Sequence, residues 1–205
     1  MTAPARRRRS PLALAAVAGL LVPAVAGCSR VDSTGADGYV TAERSVLVIA
    51  EADRGEPVTG VGGTTVDGET FDLTEARQDA AETVVNVWGS WCPPCRAETD
   101  DLVAAEAELA GEDVLFVGIN VRDTPSAARA FQRSRDVTWP SLDDPGARSA
   151  LAFRDVPSAA IPTTWVLDDE GRIGARIVDE VDASTLIDVV ADVRAGDVSS
   201  DGSDG

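Results

Sequence analysis

The stretch VVNVWGSWCPPCRAE, residues 84–98, decides the fold. It begins with a compact apolar run of the kind found in a buried parallel strand. Helix formers follow over residues 93–110, and Gly111 is a suitable residue to end that helix. A second compact apolar run, VLFVGINV, occupies residues 114–121. Strand, helix and strand in this order predict a βαβ unit.

The motif Trp91-Cys92-Pro93-Pro94-Cys95 lies where the first predicted strand gives way to the helix. Backbone N–H groups at a helix N-terminus lack intrahelical partners, and with the positive end of the helix dipole they favour a thiolate at the first cysteine. Cys92, at the exposed start of the helix, is therefore the predicted nucleophile. Proline is tolerated in the first turn because its missing N–H has no partner there. Cys95, one turn into the helix, is the predicted shielded resolving thiol.

Other interpretations of these cysteines depend on what the rest of the chain provides. A static structural disulfide between Cys92 and Cys95 remains an alternative. A four-ligand zinc site does not, because the chain has no histidine and only one further cysteine, Cys28. The absence of histidine also excludes serine–histidine and cysteine–histidine catalysis.

The 205 residues carry 35 acidic side chains against 18 arginines, and the formal net charge is −17. This charge argues against nucleic acid as a partner, because a phosphate backbone would be repelled. Three acidic pairs have a spacing that matches no calcium-binding loop, so we expect no metal site there and place them at solvated surface or turn positions. These pairs are Asp100-Asp101, Asp143-Asp144 and Asp168-Asp169.

The remaining patterns predict further elements around the βαβ unit. The run VLVI at residues 46–49 is a short β-type segment. Residues 64–73 contain an Asp-Gly turn between alternating segments, which predicts a hairpin. Residues 163–167 and 172–178 flank a second turn, DDEG, and predict an antiparallel hairpin. Helices are predicted over residues 126–135 and 183–194. Together these elements predict an α/β fold with a central mixed sheet flanked by helices and an N-terminal β-hairpin extension.

The N-terminal segment has the layout of a secretory signal peptide, with four arginines, an apolar stretch over residues 12–26 and small residues before Cys28. The apolar stretch is short of the roughly 20 residues that span a bilayer, so an uncleaved membrane anchor is the weaker alternative. Val25-Ala26-Gly27-Cys28 resembles the bacterial lipobox, in which the cysteine is lipidated and becomes the new N-terminus. An unpaired or buried Cys28 is the other possibility. We expect a lipoprotein on the outer face of the cytoplasmic membrane.

These patterns divide the chain into four parts. Residues 1–27 are the predicted signal peptide, and residues 28–45, rich in Ser, Gly, Asp and Thr, are the predicted lipid-anchored flexible linker. Residues 46–195 are the predicted folded domain, and residues 196–205 the predicted flexible acidic tail.

Three blocks resemble the TlpA/ResA-like extracytoplasmic thiol-disulfide oxidoreductases of the thioredoxin superfamily. They are residues 84–98, IPTTWVLD at residues 161–168, and DEGRI at residues 169–173. The resemblance covers roughly residues 58–194 and implies a thioredoxin-like fold with a redox-active disulfide between Cys92 and Cys95. No cofactor is implied.

The same resemblance assigns roles to several neighbours of the cysteines. Pro162, after Ile161, is expected to be a cis-proline that faces the sulfurs. Asn86 replaces a buried aspartate of thioredoxin and cannot accept a proton. Glu98 lies on the helical face of Cys95 and is expected to accept its proton, unless it is a solvated glutamate. Independently of the resemblance, Trp88 and Trp91 are candidates for an apolar substrate rim, although a tryptophan in a buried strand, such as Trp88, is more often part of the core.

The implied function is thiol-disulfide exchange outside the cytoplasm, in which Cys92 attacks a partner disulfide and Cys95 resolves the mixed disulfide. The expected partners are disulfide-bearing proteins, foremost oxidised apocytochrome c during cytochrome c maturation, and a CcdA-like membrane electron donor. Three alternatives stay open: an oxidant of secreted proteins, a redox-inert lipid-anchored binding module, and a peroxiredoxin-like peroxidase. The sequence argues against the last of these, because it has no separate peroxidatic cysteine.

Overall fold

The apolar runs of the sequence lie side by side in one seven-stranded sheet. The computed structural model describes residues 39–40, 45–153 and 160–196. The predicted signal peptide, Cys28, most of the predicted linker and nearly all of the acidic tail lie outside these residues. In the part of the chain that is described, no helix is long and apolar enough to cross a membrane.

The central sheet is mixed, which confirms the predicted fold class. Its strand order is β1-β2-β9-β8-β5-β6-β7, and β3 and β4 form a separate hairpin. Strands β5, β6 and β7 are parallel to one another, whereas β8 is antiparallel to both β5 and β9, and β2 is antiparallel to β9. The strands are β1 (Tyr39–Val40), β2 (Ser45–Val48), β3 (Gly62–Thr64), β4 (Thr70–Asp72), β5 (Glu82–Trp88), β6 (Val114–Asn120), β7 (Ser141–Asp143), β8 (Thr163–Leu167) and β9 (Ile173–Val178).

Four α-helices accompany the sheet, and their ends follow from local sequence. They are α1 (Leu73–Ala76), α2 (Pro93–Glu108), α3 (Pro125–Ser134) and α4 (Ala183–Ala195). The hydroxyl of Thr124 caps α3 by accepting the N–H of Ala127, and Asp182 caps α4 by accepting the N–H of Thr185. The βαβ unit, both hairpins and the three predicted helices are confirmed, with helix ends within two residues of the predicted ones, whereas the short helix α1 was not predicted.

The sheet is covered by apolar side chains on both faces, so that the interior strand β5 is buried along its whole length. One core cluster joins β5 to α2 and α4, with Val84, Leu102 and Leu186 among its members. The other face packs around Val85 and Trp165. This burial fixes the C-terminal end of β5, from which the chain passes directly into the Cys-Pro-Pro-Cys segment.

Two strands were not predicted. Tyr39 and Val40, inside the predicted linker, pair with Val48 and Leu47 of β2. The three-residue strand β7 pairs with the end of β6 and extends the sheet beyond the βαβ unit.

Candidate redox site

Cys92 and Cys95 form a disulfide at the N-terminus of α2, with 5.3 Å between their Cα atoms. Cys92 is the N-cap residue, and the backbone N–H of Cys95 points at its sulfur over 3.3 Å. A helix N-cap sulfur that faces an N–H group is in a position that favours its thiolate form. The difference in position between the two cysteines is thus the one expected from the sequence.

The expected difference in exposure between them is absent. Cys92 is 2% exposed and Cys95 is 1% exposed. The expectation of an exposed Cys92 is wrong because the start of the helix is covered by a small apolar cluster that includes Phe131 of α3, Val66 and Ile161. Only a partner that fits closely against this end of the sheet can reach the disulfide.

The Ile161–Pro162 peptide bond is cis, as expected from the resemblance. The carbonyl oxygen of Ile161 lies 4.0 Å from the sulfur of Cys92. The carbonyl of Pro162 accepts a hydrogen bond from the N–H of Asp179 at 3.1 Å. The segment before β8 therefore faces the first cysteine and is anchored to the segment after β9.

Glu98 is 2% exposed, so it is not the solvated glutamate of the alternative interpretation. Its Oε1 accepts from Nδ2 of Asn86 at 2.9 Å, and its Oε2 accepts from the N–H of Val181 at 3.3 Å. Burial raises the pKa of Glu98 to about 8, although the hydrogen bonds from Asn86 and Val181 lower it in part. The negative charges of Glu180 and Asp179 raise it further. A carboxyl group with this pKa gains and loses a proton near neutral pH.

Asn86 joins this carboxyl to the sheet. Its Nδ2 donates both to Glu98 and to Oγ1 of Thr164, at 3.0 Å, and Thr164 is its partner across the β5–β8 pairing. Sequence reasoning missed Thr164 and the backbone of Val181. The register of the β5–β8 pairing would have identified Thr164. No local sequence signal marks the backbone of Val181.

The segment before Cys92 is held by the loop after β6. Oδ2 of Asp123 accepts the N–H of Ser90 at 2.7 Å, and its Oδ1 accepts the N–H of Thr124 at 2.8 Å. Partial burial alone would raise the pKa of Asp123, but the hydrogen bonds from Ser90, Thr124 and Asn120 outweigh it and lower that pKa. Asp123 therefore stays ionised and ties two loops together, a role that the sequence did not indicate.

The two tryptophans near the disulfide differ. Trp88 is buried, packs against Phe131 and donates its indole N–H to Ser141. Trp91 is 46% exposed. Of the two tryptophans proposed for a substrate rim, only Trp91 is exposed enough to contact a partner.

Two of the acidic side chains expected at solvated positions are buried instead. Asp144 accepts the N–H of Ser149, and Asp168 is paired with Arg54 and Arg172. The expectation was wrong for these two because a carboxylate can be buried where N–H or guanidinium groups complete its hydrogen bonds. Among the residues that the structure describes, no cluster of three or more acidic, cysteine or histidine side chains is arranged to hold a metal.

Comparisons with known proteins place this geometry among redox proteins. A model of the AhpC/TSA family matches residues 55–176. The chain is 32% identical over 120 residues to the thiol:disulfide interchange protein HelX of Rhodobacter capsulatus, a match that covers 58% of this chain and 64% of HelX. It therefore spans just under two thirds of that relative. It is 27% identical to the thiol-disulfide oxidoreductase ResA of Bacillus subtilis, over 65% of this chain and 72% of ResA.

A solved structure gives the same result. The secreted thiol-disulfide isomerase from Corynebacterium glutamicum is 32% identical and matches with a TM-score of 0.67, over 78% of this chain and 97% of that protein. These similarities confirm the thioredoxin-like fold and the resemblance to thiol-disulfide oxidoreductases.

Proposed function

Because the chain belongs to the AhpC/TSA family and is one of its thiol-disulfide oxidoreductases, we propose that it reduces disulfides of proteins outside the cytoplasm. The observation that carries the proposal is the arrangement at the start of α2. The Cys92–Cys95 disulfide lies beside the Ile161 carbonyl, and the buried carboxyl of Glu98 follows one turn after Cys95.

In the proposed reaction the reduced protein attacks first through Cys92. Its thiolate forms a bond with one sulfur of the partner disulfide, the S–S bond of the partner breaks, and the second partner sulfur leaves as a thiolate. The N-cap position of Cys92 and the N–H of Cys95, 3.3 Å from its sulfur, support this choice of nucleophile.

Cys95 then loses its proton and attacks the sulfur of Cys92. The remaining partner thiolate is released, the Cys92–Cys95 disulfide forms, and two electrons have passed to the partner. We assign the proton to Glu98, whose pKa of about 8 lies close to the value of about 8.5 for a free thiol, so that the transfer costs little. Asn86 holds the Glu98 carboxyl and takes no proton.

The proposed setting is the outer face of the cytoplasmic membrane. The signal-peptide layout of residues 1–27 and the lipobox at Cys28 support export and lipid anchoring. The resemblance to TlpA/ResA-like proteins supports oxidised apocytochrome c as the substrate and a CcdA-like membrane protein as the donor that reduces the Cys92–Cys95 disulfide again.

A second candidate is the reverse reaction, in which the protein forms disulfides in secreted proteins. One observation favours it: the N–H group that faces the sulfur of Cys92 stabilises a thiolate, and a stabilised reduced form makes a disulfide more oxidising. A peroxidase is not favoured, because the folded domain has no cysteine besides Cys92 and Cys95.

The experiment that separates these candidates is deletion of the gene, followed by complementation with wild type, Cys92→Ser or Cys95→Ser. For a reductant we expect less covalently bound haem in membrane cytochromes, restoration by wild type or by added thiol reductant, and no restoration by either variant. Cys95→Ser should accumulate mixed disulfides with apocytochrome c, and Cys92→Ser should not. Normal cytochromes with under-oxidised secreted proteins would establish the oxidant. Full complementation by both variants would establish the binding module.

A further inference from the structure

We propose that Arg122 and Arg96, together with the exposed ring of Trp91, dock a partner segment that carries an acidic side chain next to its cysteine. We name these three residues the arginine flank. The inference deepens the proposed function, since it rests on a partner cysteine reaching Cys92, and it names the class of sequence around that cysteine.

Trp91 and Arg122 are displayed in a fixed arrangement. The indole N–H of Trp91 donates to the carbonyl of Val121 at 3.2 Å, and the guanidinium carbon of Arg122 lies 4.9 Å from the centre of the Trp91 ring. A Cβ atom at Gly89 would lie only 2.6 Å from the Trp91 indole nitrogen, so the indole packs directly on that glycine. Arg122 has a φ of 52°, a left-handed conformation that is unfavourable for a residue with a side chain. The surrounding fold therefore holds both residues in place.

Arg96 contacts the segment that leads into the disulfide. It lies on α2 one turn after Cys92, and its Nη1 donates to the carbonyl of Ser90 at 3.1 Å. Its guanidinium carbon lies 5.2 Å from the centre of the Phe131 ring. Arg96 and Arg122 are both exposed, and each contacts a residue just before Cys92, Ser90 and Trp91 respectively.

The charges of the arginine flank have no carboxylate partner within the described ranges. Arg54, Arg135, Arg172 and Arg194 are all in ion pairs, whereas Arg77, Arg129, Arg133 and Arg148 resemble the flank in having none among the described residues. The neighbouring carboxylate of Asp123 accepts hydrogen bonds from Ser90, Thr124 and Asn120 instead. Two guanidinium groups thus remain available to a partner, in a chain whose formal net charge is −17.

The opposite side of the disulfide carries the opposite charge. Asp179 and Glu180 are exposed there, and the N–H of Asp179 is bound to the Pro162 carbonyl. A bound segment therefore has arginines on one side and carboxylates on the other. A partner with its acidic residue on the arginine side is attracted, whereas the same residue on the other side is repelled. The flank should select the order of residues as well as their charge.

The arginine flank has the chemistry that recognises carboxylates. A guanidinium group binds a carboxylate through two parallel hydrogen bonds, and tryptophan and arginine are the residues most often dominant at protein interfaces. Because these arginines are exposed, each contact should change affinity only about two- to fivefold. The effect should weaken in high salt, which screens exposed charges over a few ångströms.

The test uses the oxidised full-length protein and short peptides in which serine replaces the partner cysteine. The peptides carry Glu, Gln or Lys either before or after the serine, and their affinity is measured by calorimetry at low and at high salt. We expect one Glu order to bind about fivefold more tightly than the corresponding Lys peptide. Arg122→Gln and Arg96→Gln should each reduce this preference about two- to fivefold, and high salt should reduce it in the wild type.

The matched control is Arg77→Gln, which removes the same charge at the other end of the sheet, where Arg77 contacts the carbonyl of Asp169. It should leave the preference unchanged. An equal affinity for Glu and Lys peptides, or an equal loss in the control, would overturn the proposal. The proposal would also be overturned if the affinity depended on an aromatic residue of the peptide and did not change in either arginine variant.

Failure of this docking proposal can be distinguished from failure of the proposed function. Serine peptides exchange no electrons, so their binding reports the arginine flank alone. Reduction of a small neutral disulfide by the reduced protein reports exchange alone, and failure of that reaction counts against the proposed function only. If the serine peptides bind too weakly to measure, the corresponding cysteine peptides are used as disulfides, and their rates of reduction are compared for the two residue orders. If these rates show no preference for Glu, the proposal is overturned.

Discussion

The two ends of the central sheet treat buried carboxyl groups in opposite ways. At the redox end Glu98 is 2% exposed, and its partners are the amide of Asn86 and the N–H of Val181. At the far end Glu82, 3% exposed, is bound by Arg194, with 2.6 Å between Oε2 and Nη2. Glu82 lies in β5, whereas Glu98 lies in α2 and is hydrogen-bonded to Asn86 of β5. The two side chains are almost equally buried. What differs is the charge of the partner.

The far end is a network of arginines and carboxylates. Arg54 donates to Asp168, to the carbonyl of Ile49 and to the carbonyl of Val193. Arg172 donates to the same carboxylate at 2.9 Å. Arg194 donates to Glu82 and Glu112, and these hydrogen bonds raise the pKa of Arg194 above its usual value. Three distant parts of the chain are thereby joined through ionised groups.

Burial by itself therefore does not decide whether a carboxyl group has a structural role or exchanges a proton. A guanidinium partner stabilises the charged form and makes the pair structural. Neutral donors offset only part of the desolvation cost, so the pKa of Glu98 stays at about 8 and the proton remains exchangeable.

Replacement of each buried glutamate by glutamine tests the difference between the two ends most directly. The folded pKa of Glu98, about 8, lies above the ordinary value of 4.5. The folded state therefore holds this proton more tightly, and the contribution of Glu98 to wild-type stability should fall as pH rises from about 4.5 to about 8 and stay constant beyond either limit. The difference corresponds to up to about 5 kcal/mol. Glu98→Gln should lack this loss in urea unfolding of the oxidised protein across that range, and its mixed disulfide should resolve with a flatter pH profile.

Glu82→Gln is the matched control. It should keep the decline between pH 4.5 and 8, because Glu98 is still present, and should lose about 1 kcal/mol at neutral pH from the weakened contact with the partly exposed Arg194. If Glu98→Gln and wild type showed parallel pH curves, the neutral character assigned to the Glu98 site would be wrong.

The next prediction concerns the network of arginines and carboxylates at the far end of the sheet. Arg54→Met keeps most of the side-chain volume but removes every hydrogen bond to Asp168 and to the two carbonyls. Because buried acceptors are then left without donors, we expect a loss of about 3 kcal/mol in the free energy of unfolding, measured in urea at neutral pH. The exposed Arg148→Gln should change it by less than about 0.5 kcal/mol. A similar small change for Arg54→Met would show that the network contributes little.

The smallest effect sharpens the description of the redox end. Asn86→Ala removes a hydrogen bond that lowers the pKa of Glu98, so that this pKa should rise above about 8, by about 1 pH unit. An NMR titration of the Glu98 carboxyl measures it directly. Thr164→Val removes only the other partner of Asn86 and should leave the titration near pH 8. An unchanged titration in Asn86→Ala would assign the whole pKa to burial and to the charges of Asp179 and Glu180.

Much of the fold was predictable because its signals are local. The strand-helix-strand order around Cys92 depends on neighbouring residues, and so do both hairpins with their Asp-Gly and Glu-Gly turns. Strand β7 was missed because three residues after Pro140 show no alternation to detect. β1 was missed for the same reason, since it has two residues.

The site was predictable where chemistry is carried by a motif and not where it is completed by distant contacts. Cys92, Cys95, Pro162 and Glu98 lie in recognisable blocks. The burial of Cys92, in contrast, depends on Phe131 of α3, and the partner of Glu98 at Val181 is 83 residues away. Arg194 and Glu82 are 112 residues apart, so no sequence pattern identifies them as partners.

The direction of β1 has a consequence for how the domain stands on a membrane. Tyr39 pairs with Val48, at the end of β2 farthest from the disulfide, whereas Ser45 pairs with Val178 at the redox end. The chain therefore reaches the sheet from the side opposite Cys92. With Cys28 as the proposed lipid attachment, ten residues lie between the anchor and Tyr39, which gives a reach of at most about 40 Å. If Cys28 carries the lipid, the tether joins the domain at the end of the sheet opposite the disulfide, so that Cys92 lies on the side of the domain away from its attachment.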